Sequence, residues 1–139
     1  MAGGLGFGCY RVSQSDPVHD EAMRQALAHG VDMVDTSSNY SNGKSELLVG
    51  TVLASIPEAK RPTVVTKLGY IQGDMLDLAK ARASMGDELA DVVKLSDNAW
   101  HCIHPDFLEE ALSTSIERIG ITPIDVVLLH NTEYYLQIA

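Results

Sequence analysis

This 139-residue chain predicts an α/β fold with a parallel sheet, on three observations. Short apolar runs alternate with amphipathic stretches of helical period, which is the pattern of repeated strand–helix units. The runs begin near residues 5, 31, 63 and 125, with ionisable side chains at or just past their ends. No repeat, low-complexity tract or interdomain linker interrupts the series, so residues 1–139 read as one unit.

Leu5 to Tyr10 is the first predicted strand. Asp16-Pro17 then supplies an N-cap and a first-turn proline, Val18, Ala22, Met23, Ala26 and Leu27 recur at helical spacing, and Gly30 closes the helix. Val31 to Val34 is the second strand, and Lys44 to Ser55 the second helix, stopped before Pro57. Thr63 to Thr66 is the third strand. The third helix starts at Pro105, with Asp106, Glu109 and Glu110 suited to its positive N-terminal end. Leu108, Ala111, Leu112, Ser115, Ile116 and Ile119 line one of its faces, Gly120 ends it, and Asp125 to Leu129 is the fourth strand.

The third strand-to-strand interval is about twice the others, and the excess lies between Gly69 and His104. Loops longer than about 15 residues in a compact domain are usually functional or disordered. This one is expected to be an excursion on the substrate side, with a short helix at Met75 to Met85 and apolar contacts from Tyr70 and Trp100.

Composition excludes several functions. The 45% hydrophobic share and a mean hydropathy near zero are those of a soluble globular protein. No apolar run approaches the ~20 residues of a membrane span, and no charged-then-apolar leader begins the chain, so the expected location is the cytoplasm. A net charge of −9 argues against nucleic acid or an anionic membrane surface as partner. Cys9 and Cys102 are too few for a disulfide framework and read as free thiols. His101 and His104 resemble half a metal site, but zinc wants three or four ligands and no second cluster completes the set, so no metal is expected. His101 is expected to reach substrate from the loop, and His104 to begin the third helix.

The most informative stretch is Val31 to Tyr40, followed by Gly43-Lys-Ser-Glu46 and Gly50. It brings a carboxylate, Asp35, and a phenol, Tyr40, together where a strand meets a loop. Phenols (pKa ~10) rarely donate protons at neutral pH without a nearby cation or dipole. Lys67, ending the third strand, supplies a cation. Hydride reduction of a carbonyl builds negative charge on oxygen, which a nearby proton donor neutralises. Tyr40 is the candidate acid, Lys67 would stabilise its phenolate, Asp35 would hold Lys67, and His130 would orient the carbonyl. Each has a plainer reading: Asp35 a helix cap, Tyr40 packing, Lys67 a solvated charge, His130 a satisfied core imidazole. Their common placement at the ends of successive strands favours the chemical one. Ser45 and Glu46 read as helix-start residues, since a serine needs an adjacent base to act as a nucleophile.

Gly4-Leu-Gly-Phe-Gly-Cys-Tyr10, Val34-Asp-Thr36 with Tyr40 and Ser45-Glu46, Val65-Thr-Lys67, and Asp125 to His130 stand in order at strand ends. Together they resemble the aldo-keto reductase family. The resemblance implies an eight-stranded (β/α) TIM barrel of which this chain is about the first four βα units, with an insertion between strand 3 and helix 3. It also implies NAD(P)H-dependent reduction of an aldehyde or ketone, or oxidation of an alcohol or sugar, with Asp35, Tyr40, Lys67 and His130 as the catalytic set. Gly8, Cys9, Tyr10 and Asp35 would lie beside the nicotinamide ribose, with NADP(H) ahead of NAD(H). Gly4, Gly6 and Gly8 do not make a Rossmann fingerprint, because Cys9 or Arg11 stands where its third glycine belongs. They read instead as a strand needing close backbone approach.

A complete barrel typically needs ~250 residues. By the resemblance, strands five to eight are missing, and with them most of the cofactor site: the carboxamide partners, the stacking aromatic and the basic loop for the phosphates. The short hairpin before strand one is also missing. The chain is therefore expected to be a fragment and an incomplete enzyme alone. The alternative is a non-catalytic half-barrel or interaction subunit, self-associating through the exposed edges of strands one and four.

Overall fold

The computed structural model describes residues 4–137. Four parallel strands form the main sheet: β1 (Gly6–Gly8), β2 (Met33–Asp35), β3 (Thr63–Leu68) and a fourth at Val126–Leu129, in that spatial order. The register sets Gly8 beside Asp35, Asp35 beside Val65, and Lys67 beside Leu128. Helix α1 (Pro17–Ala28) connects the first pair and α2 (Lys44–Leu53) the second. Asp16 accepts a hydrogen bond from the Val18 amide, as a cap should.

β1 and β2 are shorter than the predicted strands because each pairs over only three residues. β3 is longer, running to Leu68 because its far half pairs with the fourth strand. Lys67 thus sits inside a strand rather than after one. Val18, expected on the inner face of α1, is exposed, while Met23 on that helix is fully buried.

The excursion after β3 holds more structure than predicted. It contains β4 (Tyr70–Ile71), α3 (Asp74–Ser84), β5 (Val93–Ser96) and β6 (Ala99–His101), with the strands forming a small antiparallel sheet in the order β4-β6-β5. α4 (Pro105–Ile119) then returns the chain to the main sheet at β7 (Val126–Leu129). His104 caps α4 by accepting from the Asp106 amide, and Gly120 closes it in a left-handed conformation at φ 70°.

Two apolar clusters hold these layers. Met23, Val34, Leu48, Val49, Val52, Leu53, Val64 and Ile119 pack the main sheet against α1, α2 and α4. Each such side chain contributes about 1.5–3 kcal/mol on burial. Leu68, Ile71, Leu76, Trp100, Phe107 and Ala111 join the small sheet to α3 and α4. The Trp100 expectation therefore holds. β7 differs: Val126, Val127, Leu128 and Leu129 are 37–49% exposed although their unbroken apolar run reads as a strand buried on both faces. β7 is an edge strand, and no described residue covers its outer side.

Of the three glycines near the start, Gly4 alone approaches a neighbour closely, a Cβ there lying 3.0 Å from Asp32 Oδ1, while Gly6 and Gly8 do not make the close approach expected of them. A Cβ on Gly6 would meet Met33 at an ordinary 3.9 Å, and on Gly8 would meet nothing within 4 Å among the described residues.

Candidate active site

Parallel strands place their C-terminal ends on one side of the sheet, where (β/α) folds build their sites. Asp35 ends β2, Lys67 is the penultimate residue of β3, His130 follows β7, and Tyr40 heads a short 3₁₀ turn (Tyr40–Gly43) directly before α2. All four meet there. Lys67 Nζ donates to Asp35 Oδ1 at 2.6 Å, to the Thr36 carbonyl at 2.8 Å and to the Tyr40 hydroxyl oxygen at 3.2 Å. An ammonium has three protons, so this one is fully committed. With Lys67 donating to it, the Tyr40 oxygen keeps its own proton to offer elsewhere.

That proton has somewhere to go. A cavity of about 740 Å³ is lined by Tyr40, His130, Tyr10, Asn39, Tyr70 and Gln72, among others. The Tyr40 and His130 rings lie edge to face at 5.9 Å, and Tyr10 meets Tyr40 in the same manner at 5.2 Å. His130 is held by its backbone, its amide donating to the Leu68 carbonyl and its carbonyl accepting from His101 Nε2 at 2.5 Å. Burial, then the nearby Lys67 charge, pushes the His130 imidazole below its usual 6.5, so it is neutral at physiological pH.

The turn carrying Tyr40 is strained. Ser41 and Asn42 have φ of 51° and 54°, a left-handed conformation that L side chains seldom adopt, and Gly43 continues it at 84°. Two contacts hold it in place. Ser41 Oγ donates to the Val12 carbonyl, and Arg118 Nη1 donates to the Ser38 carbonyl. A Cβ on Gly43 would lie 2.5 Å from the Arg118 guanidinium carbon, so only glycine fits there.

Two expected contacts are not made. The Cys9 side chain is fully buried in the core and does not line the cavity. Its amide donates to the Asp35 carbonyl, its own carbonyl accepts from Ser45 Oγ, and burial with the Asp35 charge pushes its thiol up to about 12. His101 is also fully buried and holds the His130 carbonyl rather than reaching into the cavity. Gly8, Tyr10 and Asp35 remain accessible, Tyr10 being 67% exposed.

Other residues matter more than their sequence suggests. Ser45 and Glu46 do lie in the first turn of α2, yet both are fully buried. Ser45 Oγ is 2.8 Å from Thr36 Oγ1, and Glu46 accepts from Thr66 Oγ1 at 2.7 Å and from Arg118 at 3.3 Å. Ser37, also fully buried, lies 3.1 Å from His130 Nδ1. Glu46 and Arg118 are 72 positions apart, and Ser37 and His130 are 93 apart, so no local pattern announces either pair.

The sequence profile of the Aldo/keto reductase family matches residues 3–139. The chain belongs to that family. It is 26% identical over 110 residues to the NADH-specific methylglyoxal reductase of Escherichia coli, covering 79% of this chain and 30% of that protein. It is 28% identical over 131 residues to the NADP(+) aldo-keto reductase yakc of Schizosaccharomyces pombe, covering 91% of this chain and 33% of that one. In three dimensions it superposes on the holo form of aldo-keto reductase AKR11C1 from Bacillus halodurans with a TM-score of 0.67 at 20% identity, covering 96% of this chain and 39% of that one. This aldo-keto reductase chain thus spans about a third of the length of the curated relatives it matches. Its four-stranded parallel sheet is part of a (β/α) barrel.

Proposed function

We propose that this chain carries the proton-transfer half of a nicotinamide-dependent carbonyl reductase site, acting on an aldehyde or ketone, or in reverse on an alcohol or sugar. The observation behind this is the Lys67 ammonium, which holds Asp35 and the Tyr40 hydroxyl at once beside a cavity that His130 also lines. Tyr40 passes its hydroxyl proton to the carbonyl oxygen as that oxygen gains charge. Lys67 stabilises the phenolate left behind, and Asp35 keeps Lys67 in place. Neutral His130 orients the substrate oxygen. Low exposure of the Lys67 side chain, 15%, strengthens these interactions by keeping water away.

The residues present fit one end of a nicotinamide cofactor. Asp35 Oδ1 is taken by Lys67, while its other oxygen is open to a ribose hydroxyl on a side chain 44% exposed. Gly8 presents bare backbone with open space above it, and Tyr10 flanks the cavity. A bound nicotinamide would supply the hydride to the carbonyl carbon. We assign NADP(H) ahead of NAD(H), in keeping with the cofactor named for the Schizosaccharomyces relative; the Escherichia coli relative is named for NADH. The net charge of −9 disfavours the cofactor phosphates, so the cationic groups that hold them belong to a part of the barrel outside these strands.

The test pairs this chain with the C-terminal half of a related reductase and follows NADPH oxidation by a panel of aldehydes and sugars. The chain alone should bind NADPH weakly or not at all and show no turnover, since hydride transfer needs donor and acceptor held at about 3–3.5 Å. The paired protein should turn over, and Tyr40→Phe should lower its rate by about 10²–10⁴-fold with cofactor binding kept. A paired Tyr40→Phe protein that binds cofactor and reduces at the normal rate would remove Tyr40 as the acid.

A second reading is a non-catalytic half-barrel acting through self-association or partner binding. The open edges of β1 and β7, with four exposed apolar side chains on β7, favour it. Sedimentation separates the two: a stable dimer without turnover supports the second reading, and a monomer counts against self-association.

A further inference from the structure

The reductase reading needs His130 to present a hydrogen-bond donor, and a neutral imidazole does so from only one of its nitrogens. His130 Nδ1 lies against Ser37 Oγ, and among the described residues Nε2 has no protein partner. Which nitrogen carries the proton is therefore decided by Ser37. If Ser37 donates to Nδ1, the proton sits on Nε2, free for a carbonyl oxygen. If Ser37 accepts from Nδ1, Nε2 is a bare lone pair that would repel one.

Ser37 has one hydroxyl proton and three neighbours: His130 Nδ1 at 3.1 Å, the Asn39 side-chain amide at 2.7 Å and the Lys67 carbonyl at 3.2 Å. The Lys67 carbonyl already accepts from the Ser38 amide at 3.1 Å and the Ser38 hydroxyl at 3.0 Å, which fills its two lone pairs. The Ser37 proton therefore goes to Asn39 or to His130. Asn39 is in turn 3.2 Å from the Gln72 side-chain amide. The structure sets Asn39 Oδ1 toward Ser37 and Nδ2 toward Gln72 Oε1, and in that arrangement Ser37 donates to Asn39 and must accept from His130. Turning both amides by 180° keeps every heavy-atom position, makes Asn39 Nδ2 the donor to Ser37, and sends the Ser37 proton to His130 Nδ1.

We infer that Ser37 is a positioning residue that fixes the tautomer of His130, and that the Asn39–Gln72 amide pair, in the second arrangement, directs Ser37 to leave the imidazole proton on Nε2 facing the cavity. The inference rests on the reductase reading for its choice of arrangement. The coupling between Asn39, Ser37 and His130 rests on the distances. Ser37 and His130 lie on different segments and Gln72 follows the small sheet at β4, so the excursion after β3 contributes to the site through this chain of polar contacts.

Nitrogen-15 NMR of the uniformly labelled chain tests it without cofactor or substrate. The His130 signals are assigned by their loss in His130→Gln, and spectra are taken near pH ~8.5, where imidazoles are neutral. The wild-type ring should be protonated at Nε2. Asn39→Asp has the same shape but can only accept, so it should claim the Ser37 proton and move the imidazole proton to Nδ1. Ser37→Ala should give a mixture close to that of free histidine, and Ser37→Thr should restore the Nε2–H form. The same tautomer in wild type and Asn39→Asp overturns the inference, and so does a doubly protonated ring in Asn39→Asp at that pH. Backbone amide spectra matching the wild type confirm that each variant is folded. Failure here leaves the Tyr40 turnover test untouched, and failure of that test leaves the tautomer result standing.

Discussion

Arg118→Met should strongly destabilise this chain, because it leaves a buried carboxylate without its cation. Glu46 is fully buried, with one carboxylate oxygen taken by the Thr66 hydroxyl and the other by Arg118, whose side chain is 21% exposed. Methionine keeps much of the arginine stem's packing and removes the charge, leaving a carboxylate without its cation. Breaking a buried pair this way costs about 3–5 kcal/mol. The partial exposure of Arg118 and the remaining Thr66 bond put this case near the lower end, about 3 kcal/mol. Against a typical domain stability of about 5–15 kcal/mol this is a large share. In urea unfolding it should lower the midpoint by about 1–2 M. Glu46→Gln in the same background removes the orphaned charge and should recover part of the loss, a coupling that a simple packing defect would not show. A midpoint within experimental error of wild type, or no recovery in the double variant, would refute the reasoning.

Three further outcomes follow from the geometry. Gly50→Ala sits inside α2, where helix propensity alone predicts a gain of about 1 kcal/mol; but its Cβ would meet the Arg118 carbonyl oxygen at 2.5 Å and that of Ile119 at 2.9 Å. Forcing α2 and α4 apart should make the net effect a loss of about 2 kcal/mol, and a stabilised variant would contradict the packing. Because the His130 pKa is lowered in the fold, the unfolded chain binds more protons between the folded value and about 6.5, so this residue's contribution to stability is full above that window and is lost as pH falls through it. The wild-type minus His130→Gln stability difference should show that slope, and a flat difference would count against it. Both thiols are buried and pushed up, Cys9 to about 12, so neither should react with an aromatic disulfide reagent at neutral pH until the chain is unfolded.

Much of this architecture was legible because it repeats. Each βα unit announces itself twice, through an apolar run and a capped helix, and Asp16, Pro105 and Gly120 all act at the ends where their chemistry placed them. The four candidate catalytic side chains were also legible, since a parallel sheet brings strand ends to one side whatever the sequence between them. The excursion was only half legible. Its helix fell within a residue of expectation, but strands of two to four residues are too short for an alternating pattern to stand out. Cys9 and His101 were misplaced for a shared reason. Each is one residue beyond or at a strand's end, where a single residue decides whether a side chain faces the core or the cavity. Glu46, Ser37 and Arg118 could not be read at all as a network, because their partners arrive from elements tens of residues away.

These polar contacts hold the four candidate side chains together within a chain that is only part of a (β/α) barrel. Lys67 is anchored by residues of β2 and the loop after it, His130 by β3 and β6, and the strained Tyr40 turn by Arg118 from α4 and the Val12 carbonyl. Every one of those anchors lies within the four-stranded sheet, its helices and connecting loops, or the excursion. None depends on a group across the open edges of β1 or β7. The residues proposed to face a cofactor ribose stand differently, because Gly8, Tyr10 and Asp35 cluster toward the β1 edge and offer only one wall. On the reductase reading proposed above, this arrangement would keep Tyr40 and Lys67 in register without supplying a full grip on a hydride donor. On that reading proton-transfer geometry and cofactor affinity are separable, and the open edges of β1 and β7 are where a test of the second begins.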